Sequence, residues 1–148
     1  MSAAQDYAKR FALTRNLAYF AYEYDCTNFA SQIVHWAGMT PIRTQWQWNR
    51  TEQARRCWNV AHDFIEDWTL ERGYNGGAYL TKADAKRHAL PGDLIGYMDK
   101  KDYKIWHVTF VQSKSNGKIY VSQRTGDRYN EDWDGIDIDN STCIIVRF

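Results

Sequence analysis

Three cysteines, at positions 26, 57 and 143, are the candidate nucleophiles of this chain, and four histidines are its candidate bases. Only Cys26 stands where a sulfur would be activated. It opens the run Cys26-Thr27-Asn28-Phe29-Ala30-Ser31-Gln32-Ile33-Val34-His35-Trp36-Ala37, preceded by Asp25, a good N-cap, and followed by Gly38, a good stop. Phe29, Ala30, Ile33 and Ala37 recur three and four apart and give the predicted helix an apolar face. At the first helical position, unpaired backbone N–H groups and the positive end of the helix dipole favour thiolate over thiol. The chemistry this offers is nucleophilic attack. The competing reading is a small buried hydrophobe, as most free cysteines are.

A thiolate nucleophile needs a base, and His107 is placed to be one. It lies within Ile105-Trp106-His107-Val108-Thr109-Phe110-Val111, a β-branched and aromatic strand, where an imidazole is costly unless its nitrogens have partners. Asn116-Gly117 is a strong hairpin signal joining this strand to Lys118–Gln123. A two-residue turn there sets His107 opposite Gly126, with Arg124 and Ser122 on its face and Asp127 just beyond. A thiol on a helix tip, an imidazole on a central strand and polar groups at the next strand end can form an activated-nucleophile site, in which a third group orients the base. The competing reading is a core histidine bonded to a backbone carbonyl. His62, beside Asp63, reads as a solvated pair, and His35 and His88 carry no functional weight.

Those residues must be held by a fold. The length of 148 residues and 44% hydrophobic content suit one domain, residues 1–148, with a proper core. A net charge of +1 gives no electrostatic reason to expect nucleic acid as a partner, and no apolar run approaches membrane-spanning length. Residues 1–6 lack the charged and apolar regions of a Sec signal peptide, so export by that route is not expected. Membership of a longer secreted protein, or a specialised secretion system, stays open. The odd cysteine count argues against a disulfide scaffold, a Cys57–Cys143 bridge being the minor alternative to two core thiols. With no CxxC and no HExxH, no metal and no cofactor are expected.

Residues 3 to about 22 have helical periodicity, with Thr14-Arg15-Asn16 as a candidate break. A loop follows Gly38 as far as about Arg50, and a second helix is predicted from Thr51 to near Gly73. Residues 74–77 read as loop, and 81–86 as a short charged helix or turn. Strand patterns then occupy 93–98, 105–111, 118–123 and 142–148, with a polar loop over 127–139. Helices followed by an antiparallel meander make the expected class α+β. Seven tryptophans and ten tyrosines exceed what the core needs, so Tyr22, Tyr24, Trp46 and Trp48 are candidate walls of a substrate cleft, with a structural anchor the competing role for one of the tryptophans.

The octapeptide Asp25-Cys26-Thr27-Asn28-Phe29-Ala30-Ser31-Gln32, the strand Gly92-Asp93-Leu94-Ile95-Gly96-Tyr97, His107-Val108, and Thr125-Gly126-Asp127 together resemble the putative amidase domain family. These are papain-like hydrolases related to bacterial cell-wall cysteine peptidases. The resemblance extends to the tyrosine-rich N-terminus, the Trp46/Trp48 loop and the Phe64/Trp68 helix, and so covers nearly the whole chain. It implies a papain-like layout, with the helix of the nucleophile Cys26 packed on an antiparallel sheet that carries His107. The family pattern has His-Thr where this chain has Arg124-Thr125, which leaves Asp127, or else Gln123, to orient His107. Asp127 is the expected choice; a bulge near Gly126 would bring it to the right side.

The resemblance implies a cysteine-dependent hydrolase of amide bonds, acting on a peptidoglycan fragment or peptide, as a lytic enzyme or interbacterial toxin domain. In the latter case an immunity or inhibitor protein would be a partner. A peptidase, deamidase or acyltransferase acting on protein side chains is the runner-up within the same chemistry. A non-enzymatic, aromatic-walled binding module with an inert Cys26 is the alternative outside it.

Overall fold

In the computed structural model, which describes residues 2–39, 46 and 56–148, the sheet is six-stranded and antiparallel. Its strands are β1 (Asn75–Tyr79), β2 (Leu94–Asp99), β3 (Ile105–Ser115), β4 (Lys118–Gln123), β5 (Arg128–Asp132) and β6 (Ser141–Val146), in the spatial order β1-β6-β2-β3-β4-β5. Strands β2 to β5 form a meander. β6 departs from it by returning to lie between β1 and β2. β1 and β5 fall in stretches expected to be loops. Their sequences, Asn-Gly-Gly-Ala-Tyr and Arg-Tyr-Asn-Glu-Asp, show no clean apolar alternation, because each is an edge strand paired on one side only.

One face of the sheet, through Leu94, Ile105, Val108, Phe110 and Val146, packs against helices α1 (Ala3–Phe11), α2 (Cys26–Trp36), α3 (Arg56–Asn59) and α4 (Ala61–Glu66). The other face, through Ile95, Tyr97, Val111, Val121, Cys143 and Ile145, is covered by α5 (Lys82–His88) and by Trp133, Ile136 and Ile138 of the β5–β6 connection. Helices on an antiparallel sheet make the fold α+β, as the sequence predicts.

Two helix expectations need correction. α1 ends at Phe11 instead of continuing to about residue 22, because the Arg124 guanidinium takes the Phe11 carbonyl (2.6 Å) and the Thr14 carbonyl (2.7 Å). The helix expected over residues 51–73 is interrupted at Val60, whose φ of −108° and ψ of 118° are extended; it resumes in α4 and a π-helical turn over Asp67–Glu71. Residues 51–55 of that expectation lie outside the described residues.

The Gly92–Tyr97 stretch has a plain structural logic. Asp93, at the mouth of β2, accepts from Arg147 Nη2 at 2.7 Å and from the Leu90 N–H at 2.8 Å, tying β2 to the end of β6. Gly96 lets α4 close on the sheet, since a Cβ there would stand 2.8 Å from Ile65 Cγ1. All three cysteines are free. Burial pushes the Cys143 thiol up to about 11 and raises that of Cys57 as well, so both are held as inert thiols.

Candidate active site

α2 starts at Cys26 and ends at Trp36, beyond which Gly38 adopts a φ of +111°. Its core-facing side chains, Phe29, Ala30 and Ile33, are buried, while Cys26 at the tip remains partly exposed. Asp25 sits at the N-cap position, but its side chain caps nothing. The carboxylate is buried instead: Oδ1 accepts from Asn28 Nδ2 (2.7 Å) and the Tyr22 N–H (3.2 Å), and Oδ2 accepts from Arg124 Nη1 (2.7 Å). The N–H of Asp25 donates to Thr125 Oγ1 at 2.9 Å, so the helix tip is stitched to the chain just past β4.

Cys26 meets β3 there. Its thiol lies within electrostatic reach of the His107 side chain, with Thr27 Oγ1 at 3.6 Å and the backbone of Val108 close by. The His107 Nε2 lies 3.0 Å from Gln123 Oε1. The Gln123 amide nitrogen donates to the Thr125 carbonyl (3.3 Å) and the Gly126 carbonyl (3.2 Å), so Oε1 is the end that accepts. His107 therefore donates from Nε2 to Gln123, which leaves Nδ1 as the nitrogen free to exchange a proton.

Two register shifts build this arrangement. Along the β3–β4 hairpin, Ser113 pairs with Tyr120 but Val111 pairs with Val121, so Gln112 is bulged. The slip exchanges the faces of β4 relative to β3. Phe110 then pairs with Ser122, which sets Gln123 beside Thr109 on the face His107 shares; without the bulge Arg124 would stand there. The second shift is on the β2 side, where Tyr97 pairs with His107 and Met98 with Ile105, leaving Trp106 as the bulged residue. The Trp106 and His107 rings stack with centroids 5.6 Å apart, and Tyr97 lies 5.5 Å from the imidazole. Bulges beside a site re-aim side chains in this way.

The electrostatics follow from that geometry. Burial by itself would raise the Cys26 pKa, but His107, helped by Thr27 and Val108, outweighs it and holds the thiol below its ordinary range. Burial by itself would lower His107. Cys26 and Gln123 outweigh it, and the imidazole is raised. The two opposite shifts describe one couple, in which each partner favours the charged form of the other.

The remaining predicted residues are placed as follows. Asp127 makes its ion pair with Arg15 Nη1 at 3.0 Å at the surface, while the nitrogen it was expected to hold is taken by Gln123. Tyr24 is 78% exposed, and Tyr22 is half-buried with its ring 4.9 Å from that of Phe20; both stay close to Cys26 in sequence, on the loop leading into α2. Trp46 is a correction: it is wholly buried, packs on Trp58 and Trp68, and donates to Ser31 Oγ at 3.0 Å, so it anchors the core and cannot wall an open cleft. Trp48 lies outside the described residues. Asn28 and Ser31 are fully engaged structurally, Asn28 accepting from Trp58 Nε1 (2.8 Å) and Ser31 donating to the Trp58 carbonyl (2.6 Å). Sequence reasoning did not find the structural parts of Arg124 and Trp106. The pairing that reveals them depends on bulges with no local signature.

A family model described as putative amidase domain matches residues 1–146. The chain belongs to the putative amidase domain family. Among curated proteins this family member is similar to two from Bacillus subtilis (strain 168). It is 30% identical to Uncharacterized protein YhbB over 137 residues, covering 88% of this chain and 42% of YhbB. It is 31% identical to Uncharacterized protein YjcM over 136 residues, covering 86% of this chain and 31% of YjcM. The chain thus spans less than half the length of these curated relatives. No solved structure matches it.

Proposed function

We propose that this putative amidase domain is a cysteine-dependent amide-bond hydrolase, with Cys26 as nucleophile, His107 as base and acid, and Gln123 as the group that orients His107. The observation carrying this reading is the meeting of the Cys26 thiol, at the tip of α2, with His107, whose Nε2 lies 3.0 Å from Gln123 Oε1. It has the parts a thiol nucleophile requires: an adjacent base, a partner fixing the tautomer of that base, and a helix N-terminus beneath the sulfur.

His107 takes the thiol proton, and the thiolate attacks the carbonyl carbon of the amide. The tetrahedral oxyanion is met by the Cys26 backbone N–H, which as an N-terminal helical donor has no intrahelical acceptor. Imidazolium gives its proton to the leaving nitrogen as the C–N bond breaks, which leaves a thioester on Cys26. Water, deprotonated by the now neutral His107, attacks the thioester; its collapse releases the acid and restores the thiol. The exposed Tyr24 and Phe20 on the loop before α2 supply apolar surface for the acyl group.

We assign the substrate to the peptide and amide bonds of peptidoglycan, by analogy with the cell-wall cysteine peptidases to which the putative amidase domain family is related. A lytic enzyme or an interbacterial toxin domain is the corresponding role. The test is incubation with purified peptidoglycan fragments followed by mass spectrometry, with Cys26→Ala in parallel. Products of one hydrolysed amide bond, absent with Cys26→Ala, are expected. No cleavage, together with iodoacetamide labelling of Cys26 that follows an ordinary thiol pKa, would leave a binding module as the better account.

A further inference from the structure

Asp25 adjoins Cys26 on α2, and Arg124 adjoins Gln123 at the end of β4. Cys26 and Gln123 both meet His107, while Asp25 and Arg124 meet each other at 2.7 Å with both side chains about 1% exposed. The four residues and His107 therefore close a ring made of two peptide links and three side-chain contacts. Arg124 has further bonds that hold it still: Nε and Nη2 reach the Phe11 carbonyl, Nη2 reaches that of Thr14, and the guanidinium lies 4.5 Å over the Phe29 ring.

Resting on the proposed function, we infer that the buried Asp25–Arg124 ion pair is the positioning device of the site. It clamps the Cys26 end of α2 to the strand end that carries Gln123, and it cancels the charge of the carboxylate on the residue before Cys26. A carboxylate next to a thiol normally opposes the thiolate. Asp25 is held in that position by Asn28 and Tyr22 as well as by Arg124, so the charge is built in and has to be balanced. Balance is supplied chiefly by Arg124. Arg15 Nε stands farther off, at 3.7 Å from Asp25 Oδ2, and shares its charge with Asp127. From the sheet, His107 is the titratable group that acts on the thiol, and the thiol in turn acts on Tyr97. Burial gives the ion pair its leverage, since charges removed from water interact strongly and leaving one unpaired is costly.

The experiment is the pH dependence of iodoacetamide alkylation at Cys26, read by peptide mass spectrometry so that Cys57 does not interfere, with thermal melting of every variant alongside. Arg124→Gln leaves Asp25 uncompensated, and the Cys26 midpoint should move up by about one pH unit or more. Asp25→Asn, with Arg124 retained, should move it down. The double variant Asp25→Asn/Arg124→Gln should return it towards the parent value, and Arg124→Lys should keep the midpoint while slowing turnover. A purely structural role would lower the melting temperature of these variants without the opposite midpoint shifts. Unchanged midpoints in folded Arg124→Gln and Asp25→Asn would overturn the inference; if Arg124→Gln does not fold, Asp25→Asn alone decides it. Failure of the proposed function looks different: the parent midpoint would be that of an ordinary thiol and indifferent to His107→Ala.

Discussion

Gln123 Oε1 stands 3.0 Å from His107 Nε2, and the Gln123 amide nitrogen is tied to the carbonyls of Thr125 and Gly126. A neutral amide thus occupies the place for which Asp127 was the expected carboxylate. It orients the imidazole through a hydrogen bond that is charge-assisted when His107 is protonated.

This relationship gives an order of effects. A hydrogen bond to a charged group contributes about 1.5–3 kcal/mol, which corresponds to roughly 10- to 100-fold in rate. Gln123→Ala should slow amide hydrolysis by about that factor. Asp127→Asn should have little effect, since its carboxylate is engaged with Arg15 at the surface. Steady-state rates in the reverse order would return the orienting role to Asp127.

Cys26→Ala and His107→Ala should each abolish hydrolysis and leave the melting temperature close to that of the parent, because both side chains serve the site at the helix tip. Cys57→Ala should keep full activity. Cys143→Ala should also keep activity but lose stability, since it removes a wholly buried sulfur from the sheet core. Loss of hydrolysis in either of these with the fold intact would mean that the nucleophile is a different sulfur.

Titration of the His107 ring by NMR tests the couple directly. In the parent, Cys26 and Gln123 overcome burial and raise the imidazole; in Cys26→Ala only Gln123 is left against burial, and the pKa should fall. A pH profile of hydrolysis should have its acid limb at a thiol lowered below its ordinary value and its alkaline limb at an imidazole raised above its own. The linkage to stability has the same signs. The Cys26 contribution is lost as pH falls through its folded value, and that of His107 is lost as pH rises through its folded value. Identical His107 titrations in the parent and in Cys26→Ala would show that sulfur is not its partner.

Trp46→Ala should cost about 3–5 kcal/mol of stability, the usual range for deleting a buried aromatic side chain. It packs between Trp58 and Trp68, and its indole N–H satisfies the buried Ser31 hydroxyl. Urea unfolding measures this. A variant of unchanged stability that has lost substrate binding would restore Trp46 to a cleft wall.

Local chemistry made much of this protein legible from its sequence. The Asp25/Gly38 boundaries and the three- and four-residue apolar spacing determine α2 and put Cys26 at its first position; alternation and Asn116-Gly117 determine the β3–β4 hairpin and put His107 within it. These depend on neighbours a few residues apart, which a linear reading can see. What lies across the molecule was decided only by the tertiary structure. The bulge at Gln112 exchanged the faces of β4 and so chose Gln123 over Arg124 as the partner of His107. Arg124 was released to the other face, where it bonds Asp25 and cuts α1 short at Phe11. Trp46 went to the core because Trp58, Trp68 and Ser31 were there to receive it, and β1 and β5 became strands because β6 and β4 offered them unpaired edges. Each of these outcomes depends on partners in other elements of the fold, and pairing of that kind leaves no mark on the periodicity of either segment.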